Sequence, residues 1–217
     1  MVHDTPTLTI SQLKDTLKSG ALLIDLRPYE QFASSHIPGS ISVVFSRKSL
    51  PERVATAIPP GPSIVLLSDD QDIAGAAAAA LGSVDRNPLY GILSQGVQMW
   101  RDAGLPPAHL TQLSAPVLWQ RLSTPHNELV LIDVREPFEW EWGHIEGSLL
   151  IPLGEIWQRT GSLDPRKEIV LICQEGLRST TAASILLHHK LPRIGNVAGG
   201  IGNWLDAAYP TVRPSKR

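Results

Sequence analysis

The chain has one cysteine, Cys173, among 217 residues. A single thiol cannot form an internal disulfide or supply a cysteine-based zinc site, so neither kind of staple holds this fold. Aromatic residues make up only 6% of the chain, and neither sign of charge dominates: 19 Lys and Arg face 21 Asp and Glu, a formal net charge of −2. That balance gives no electrostatic reason to expect nucleic acid or an anionic membrane surface as a partner. Long hydrophobic runs are missing as well. The longest small-apolar run, Ala74 to Leu81, is far too short to span a bilayer. The opening residues MVHDTPTLTISQLKD carry neither a basic n-region nor an apolar h-region, so no secretory signal is read there and the cytoplasm is the expected location.

What the sequence does contain is an internal repeat. LLIDLRPYEQFASSHIPGS begins at Leu22 and VLIDVREPFEWEWGHIEGS at Val130. Asp25 pairs with Asp133, Arg27 with Arg135, His36 with His144 and Gly39 with Gly147, each at an offset of 108. Further along, SIVLLS matches EIVLIC, so Ser68 faces Cys173 at an offset of 105. LSQGVQMWRDAGLP then matches VAGGIGNWLDAAYP, aligning Trp100 with Trp204 at 104. Three matches in the same order with so little drift mark a duplicated domain. The boundary falls in the proline-rich, non-periodic stretch 104–116, giving expected domains 1–107 and 112–217.

Within each half, short apolar runs alternate with helical segments. ALLIDL, LVLIDV, PSIVLL and EIVLIC read as buried strands. SQLKDTLKSG, APVLWQRLS, DIAGAAAAALG and STTAASILLHHK read as helices. The fold class expected is α/β, with a mainly parallel central sheet flanked by helices in each half.

In such sheets ligands bind beyond the carboxyl ends of the strands. Cys173 ends the strand EIVLIC, and the following helix is expected to start at Ser179. Gln174, Glu175, Gly176, Leu177 and Arg178 would then form a tight loop over a helix N-terminus, turning several main-chain N–H groups inward as an anion-binding nest. Those donors would favour the thiolate. A lone strand-end cysteine is commonly an inert small hydrophobe; the loop, the arginine and the helix start argue against that here. Ser68 occupies the same place in the first copy, so the fold does not require sulfur there. Ser68, Asp69 and Asp70 instead put two carboxylates where a nest should be, which would repel an anion.

CQEGLRS, residues 173–179, LIDVREPFEWEWGHIEGS and AGGIGNW together resemble the rhodanese family, and the resemblance covers nearly the whole chain. It implies a tandem-domain sulfurtransferase with an inactive N-terminal copy and an active C-terminal one. Cys173 would be the sulfur-accepting nucleophile. The loop Gln174 to Arg178, with Ser179, would cradle the sulfane sulfur, and no cofactor or metal would be needed. A small-molecule donor such as thiosulfate would load Cys173 as a persulfide, and a thiol or cyanide would discharge it, with an acceptor protein as a further candidate. With no second thiol, the discharging group must come from outside the chain. Glu175 would offset Arg178, leaving the loop's side-chain charge at zero and the anion-binding task to backbone donors. The mercaptopyruvate loop pattern CGxGVT is absent.

Two rival functions follow from the same residues. Cysteine phosphatases and arsenate reductases also use a loop ending in arginine, but with five residues between Cys and Arg where this chain has four. A non-catalytic docking module would suit the first copy. Asp133 with Arg135, and Asp25 with Arg27, are expected to brace the sheet tops, and His36 and His144 to build turns, because both copies keep them. His188 and His189 close a helix beside Lys190 without further metal ligands in view. Trp140, Trp142 and Trp157 are expected at the core or the cleft between the copies; Trp142, aligned with Ser34, could face an approach path.

Overall fold

A computed structural model of the chain describes residues 5–82, 84, 86–124 and 128–214. The outermost ends of the two expected domains, residues 1–4 and 215–217, lie outside them. The chain divides into two compact units, Met1–His109 and Leu110–Arg217.

The first unit runs α1 (Ile10–Lys18), β1 (Leu22–Asp25), α2 (Tyr29–Ser34), β2 (Ile41–Ser42), α3 (Leu50–Ala57), β3 (Ile64–Ser68), α4 (Gln71–Gly82), β4 (Leu89–Ser94) and α5 (Gly96–Asp102). Its sheet has the order β2-β1-β3-β4, and every pairing is parallel. The apolar runs become strands buried on both faces, as parallel sheets covered by helices require. Thr7 adds an isolated parallel bridge to Ile92 of β4.

The second unit runs β5 (Thr111–Leu113), α6 (Ala115–Leu122), β6 (Leu129–Asp133), α7 (Pro137–Trp142), β7 (Leu149–Leu150), α8 (Leu153–Arg159), β8 (Glu168–Ile172), α9 (Leu177–His188), β9 (Ile194–Val197) and α10 (Gly200–Asp206). Its parallel sheet has the order β5-β9-β8-β6-β7. Here β5 does in full what the Thr7 bridge does in the first unit. The proline-rich boundary stretch 104–116 also holds a strand that its sequence did not announce: β5 begins at Thr111, because β9 offers a free edge for it to pair with.

The repeat is visible in the hydrogen bonds as well. The indole of Trp100 donates to the Pro106 carbonyl at 3.0 Å, and that of Trp204 to Pro210 at 2.9 Å. Each closing segment then returns to its histidine turn, Ala108 bridging to His36 and Val212 to His144. In the second unit the core gathers Leu113, Leu118, Leu131, Val170, Ile172 and Trp204 between the sheet and its helices.

The α9 helix is buried along most of its length, although Ser179, Thr180, Thr181 and Ser184 all lie inside. Their hydroxyls reach local partners, Thr180 donating to the Gly176 carbonyl at 2.8 Å and Ser184 to Thr181 at 2.6 Å. Satisfied this way, small hydroxyl residues can be buried without the cost of an unmet donor.

Candidate active site

Strand β8 carries the chain to the carboxyl end of the sheet, and Cys173 is the first residue beyond it. The turn to α9 takes three residues, Gln174, Glu175 and Gly176. Gly176 has φ of 101°, a left-handed conformation that side chains disfavour, and it stands immediately before the helix. The helix therefore opens at Leu177, earlier than the Ser179 expected from sequence, and Arg178 and Ser179 belong to its first turn.

The Gly176 N–H donates to the Cys173 Sγ at 3.1 Å, and the Ser179 hydroxyl lies 3.3 Å from the same sulfur. That hydroxyl is also 3.2 Å from the Gly176 carbonyl, so its single proton serves one acceptor at a time. The expected collar of many N–H groups is narrower on Sγ itself: among the described residues it is one main-chain donor and one hydroxyl. Cys173 is 1% exposed, at the floor of the site.

From the other side α10 packs against the loop. The Ile201 N–H donates to the Cys173 carbonyl at 2.8 Å and the Gly202 N–H to Gln174 at 3.1 Å. Gly200, at φ of 60°, makes this approach possible, since a Cβ there would collide with the Cys173 carbonyl oxygen. The glycines of AGGIGNW thus fix the first residues of the loop.

Arg178 does not point a free guanidinium at the sulfur. It makes a two-pronged pair with Glu139 of α7 at 2.5 and 2.7 Å. Its charge is thus paired directly with a carboxylate from another helix. The fork geometry is the strong bidentate form, and the Arg178 guanidinium holds the Glu139 carboxyl below the usual carboxylate range. Glu139 also accepts from the Glu136 N–H at 3.1 Å, closing a capping box on α7. Sequence reasoning missed this residue. A signal existed: at the offsets of 108 and 105 the aligned positions in the first copy are Gln31 and Ile73, so carboxylate and guanidinium are present together in one copy and absent together from the other.

The brace and turn residues fall where expected. Arg135 grips Asp133 through Nε at 3.0 Å and Nη2 at 2.7 Å and donates to the Gly143 carbonyl; Arg27 repeats this on Asp25 and Ser35. His144 sits 3.1 Å from the Trp140 carbonyl through Nδ1, with the Trp140 ring stacked on it at 3.4 Å. His36 does the same with Phe32, at 2.9 Å and 4.1 Å. Trp157 packs on His188 and His189 at the end of α9.

A groove of about 530 Å3 opens beside the loop, with Gln174, Glu139 and Arg135 in its wall. Trp142 lines it and is 73% exposed. That residue is therefore at an approach to the loop and not in the core.

The first copy lacks this construction. Only Asp69 and Asp70 separate Ser68 from α4, one residue fewer than in the second copy. The Ser68 hydroxyl donates to the Asp70 carbonyl at 2.9 Å and accepts from the Asp70 N–H at 3.1 Å. Asp70 caps α4 by accepting from the Asp72 and Ile73 N–H groups, and Asp69 pairs with Arg27 at 3.7 Å.

Comparison with known proteins agrees with the duplication. The family model described as Rhodanese-like domain matches residues 9–103 and again 114–207. A sulfurtransferase of Allochromatium vinosum is 30% identical over 105 residues, 48% of this chain and 97% of that protein. The uncharacterized protein YqhL of Bacillus subtilis is 43% identical over 74 residues, 34% of this chain. That match spans 59% of YqhL, so a substantial part of that protein has no counterpart in it.

Proposed function

The chain belongs to the rhodanese family, and we propose that its C-terminal unit is a sulfurtransferase that carries sulfane sulfur as a persulfide on Cys173. The Cys173 thiolate attacks the outer sulfur of a donor such as thiosulfate. The donor's S–S bond breaks, sulfite departs with the electron pair, and Cys173–S–S⁻ remains. A thiol or cyanide then removes the outer sulfur, restoring the thiolate. With no second cysteine in the chain, that acceptor is a separate molecule.

The observation that carries this reading is the difference between two copies of one fold. At the same strand end, the second copy aims the Gly176 N–H and the Ser179 hydroxyl at a sulfur; the first turns a serine hydroxyl back on the Asp70 backbone and follows it with Asp69, whose carboxylate pairs with Arg27. Only the second can stabilise an incoming anionic sulfur with main-chain donors at a helix N-terminus. The first unit is read as a non-catalytic copy. The phosphatase alternative loses support from Arg178, since a guanidinium already forked onto Glu139 is not offered to a tetrahedral oxyanion.

Mass spectrometry of the intact protein after exposure to thiosulfate, glutathione persulfide and 3-mercaptopyruvate tests the reading. One added sulfur is expected on the native chain and none on Cys173→Ser. A native chain that takes up no sulfur from any of the three would overturn it.

A further inference from the structure

We propose that the groove beside the loop selects a carboxylate-bearing organic thiol as the acceptor that discharges Cys173. This rests on the sulfurtransferase reading and names the substrate class of its second half-reaction. The groove, about 530 Å3, lies within the roughly 300–1,000 Å3 of sites that hold small organic molecules. Cyanide would occupy a small corner of it.

The walls are of two kinds. Phe138 and Trp142 stand one helical turn apart on α7, 55% and 73% exposed, with ring centroids 5.7 Å apart at 76°. The half-exposed Leu205 of α10 extends the apolar surface. Large apolar side chains clustered in the open mark a place where something binds. The cluster is too small for a protein partner, which would bury about 800 Å2 on each side of a stable interface. It suits the body of one small molecule.

Charge supplies the second criterion. Arg135 and Glu139 both reach the groove, but Asp133 and Arg178 already neutralise them. Arg213 is different: its Nε donates to the Trp142 carbonyl at 2.8 Å, and it forms no ion pair among the described residues. That bond holds a cation at the lip of the aromatic pair with its remaining donors open. A molecule that lays an apolar body on Phe138 and Trp142 and a carboxylate on Arg213 would extend its thiol toward Gln174 and the floor of the site.

The step balances without any oxidant. The acceptor thiolate attacks the outer sulfur of Cys173–S–S⁻, a new S–S bond forms, the bond to Sγ breaks, and its electron pair stays on Sγ. The products are the Cys173 thiolate and the acceptor's persulfide.

The test is discharge of the pre-loaded persulfide, followed by mass spectrometry. Glutathione, glutathione diethyl ester, 2-mercaptoethanol and cyanide are compared on the native chain, on Phe138→Ala/Trp142→Ala and on Arg213→Gln. Glutathione is expected to outpace its ester on the native chain, and Arg213→Gln to abolish that preference. The double variant should lower the ratio of glutathione to cyanide rates by about tenfold, the factor that ~1.4 kcal/mol of lost aromatic and apolar contact gives. Equal rates for glutathione and its ester on the native chain would overturn the proposal, as would ratios unmoved by both variants. An equal fall for 2-mercaptoethanol would also overturn it. Failure to load any persulfide would instead overturn the sulfurtransferase reading. Because the replaced aromatics are mostly exposed, folding should survive; Arg213→Gln decides the matter alone if it does not.

Discussion

Glu139 is the residue on which the loop's geometry turns, although it is 34 positions from the cysteine it serves. Arg178 in the first turn of α9 and Glu139 on α7 have side chains 29% and 15% exposed, so solvent screens their charges only in part. Removing one partner leaves the other half-buried with its donors or acceptors unmet. Glu139→Gln is accordingly expected to destabilise the second unit by about 1–3 kcal/mol, the cost of an orphaned charged hydrogen bond. Denaturant unfolding measures it, and a cycle with Arg178→Gln isolates the coupling between the two. The acid dependence gives a second readout. The folded-state Glu139 carboxyl titrates below its ordinary value of 4.5 because Arg178 hydrogen-bonds it. Its contribution is therefore complete above the unfolded-state value and is lost as pH falls through the folded one. Glu139→Gln should remove that part of the acid limb; a native-like acid limb in the variant would mean the pair does not brace the loop.

At the scale of elements, the proposal of one reactive and one silent copy turns on the junction between strand and helix and not on the identity of one side chain. Ser68→Cys, made in a Cys173→Ser background, is expected to remain at least about tenfold slower than Cys173 to take up sulfur from thiosulfate, because no thiolate-favouring loop surrounds it. The β3–α4 turn is two residues shorter than the β8–α9 turn, has no left-handed glycine before the helix, and carries the Asp69 and Asp70 carboxylates directly after the thiol position. Sulfur uptake by Ser68→Cys as fast as by Cys173 would show that the turn is irrelevant. The same junction shows what could be read in advance. Strands, repeat and brace pairs were legible because their signals are local: apolar runs, an Asp-x-Arg step, a recurring Gly-Ser turn. The start of α9 was misjudged by two residues because a left-handed glycine ended the loop sooner than side-chain chemistry suggested. β5 was hidden because three residues in a proline-rich stretch become a strand only when β9 supplies the edge. Glu139 was hidden because it meets Arg178 only after the sheet and two helices have folded.

Across the whole molecule, duplication places equivalent histidines in both units, and the first of them should make its unit sensitive to acid. His36 is 2% exposed, stacked on Phe32, and its Nδ1 faces the Phe32 carbonyl at 2.9 Å. An acceptor there requires Nδ1 to carry the proton of the neutral ring. Burial, with smaller contributions from the nearby Arg27 and His109 charges, pushes its pKa down from 6.5 to about 4. The unfolded chain then binds a proton that the folded unit refuses anywhere between those two values. Stability of the first unit should be flat above about pH 6.5 and fall by about 3 kcal/mol as pH drops to 4, at roughly 1.4 kcal/mol for each unit of pKa difference. Amide hydrogen exchange read separately on peptides of the two units would follow this, and NMR of the His36 ring would give the midpoint directly. His36→Gln has no proton to gain, so its first unit should keep its stability across that window apart from carboxylate effects. A ring that titrates near 6.5, or an undiminished loss of stability in His36→Gln, would put the acid sensitivity elsewhere.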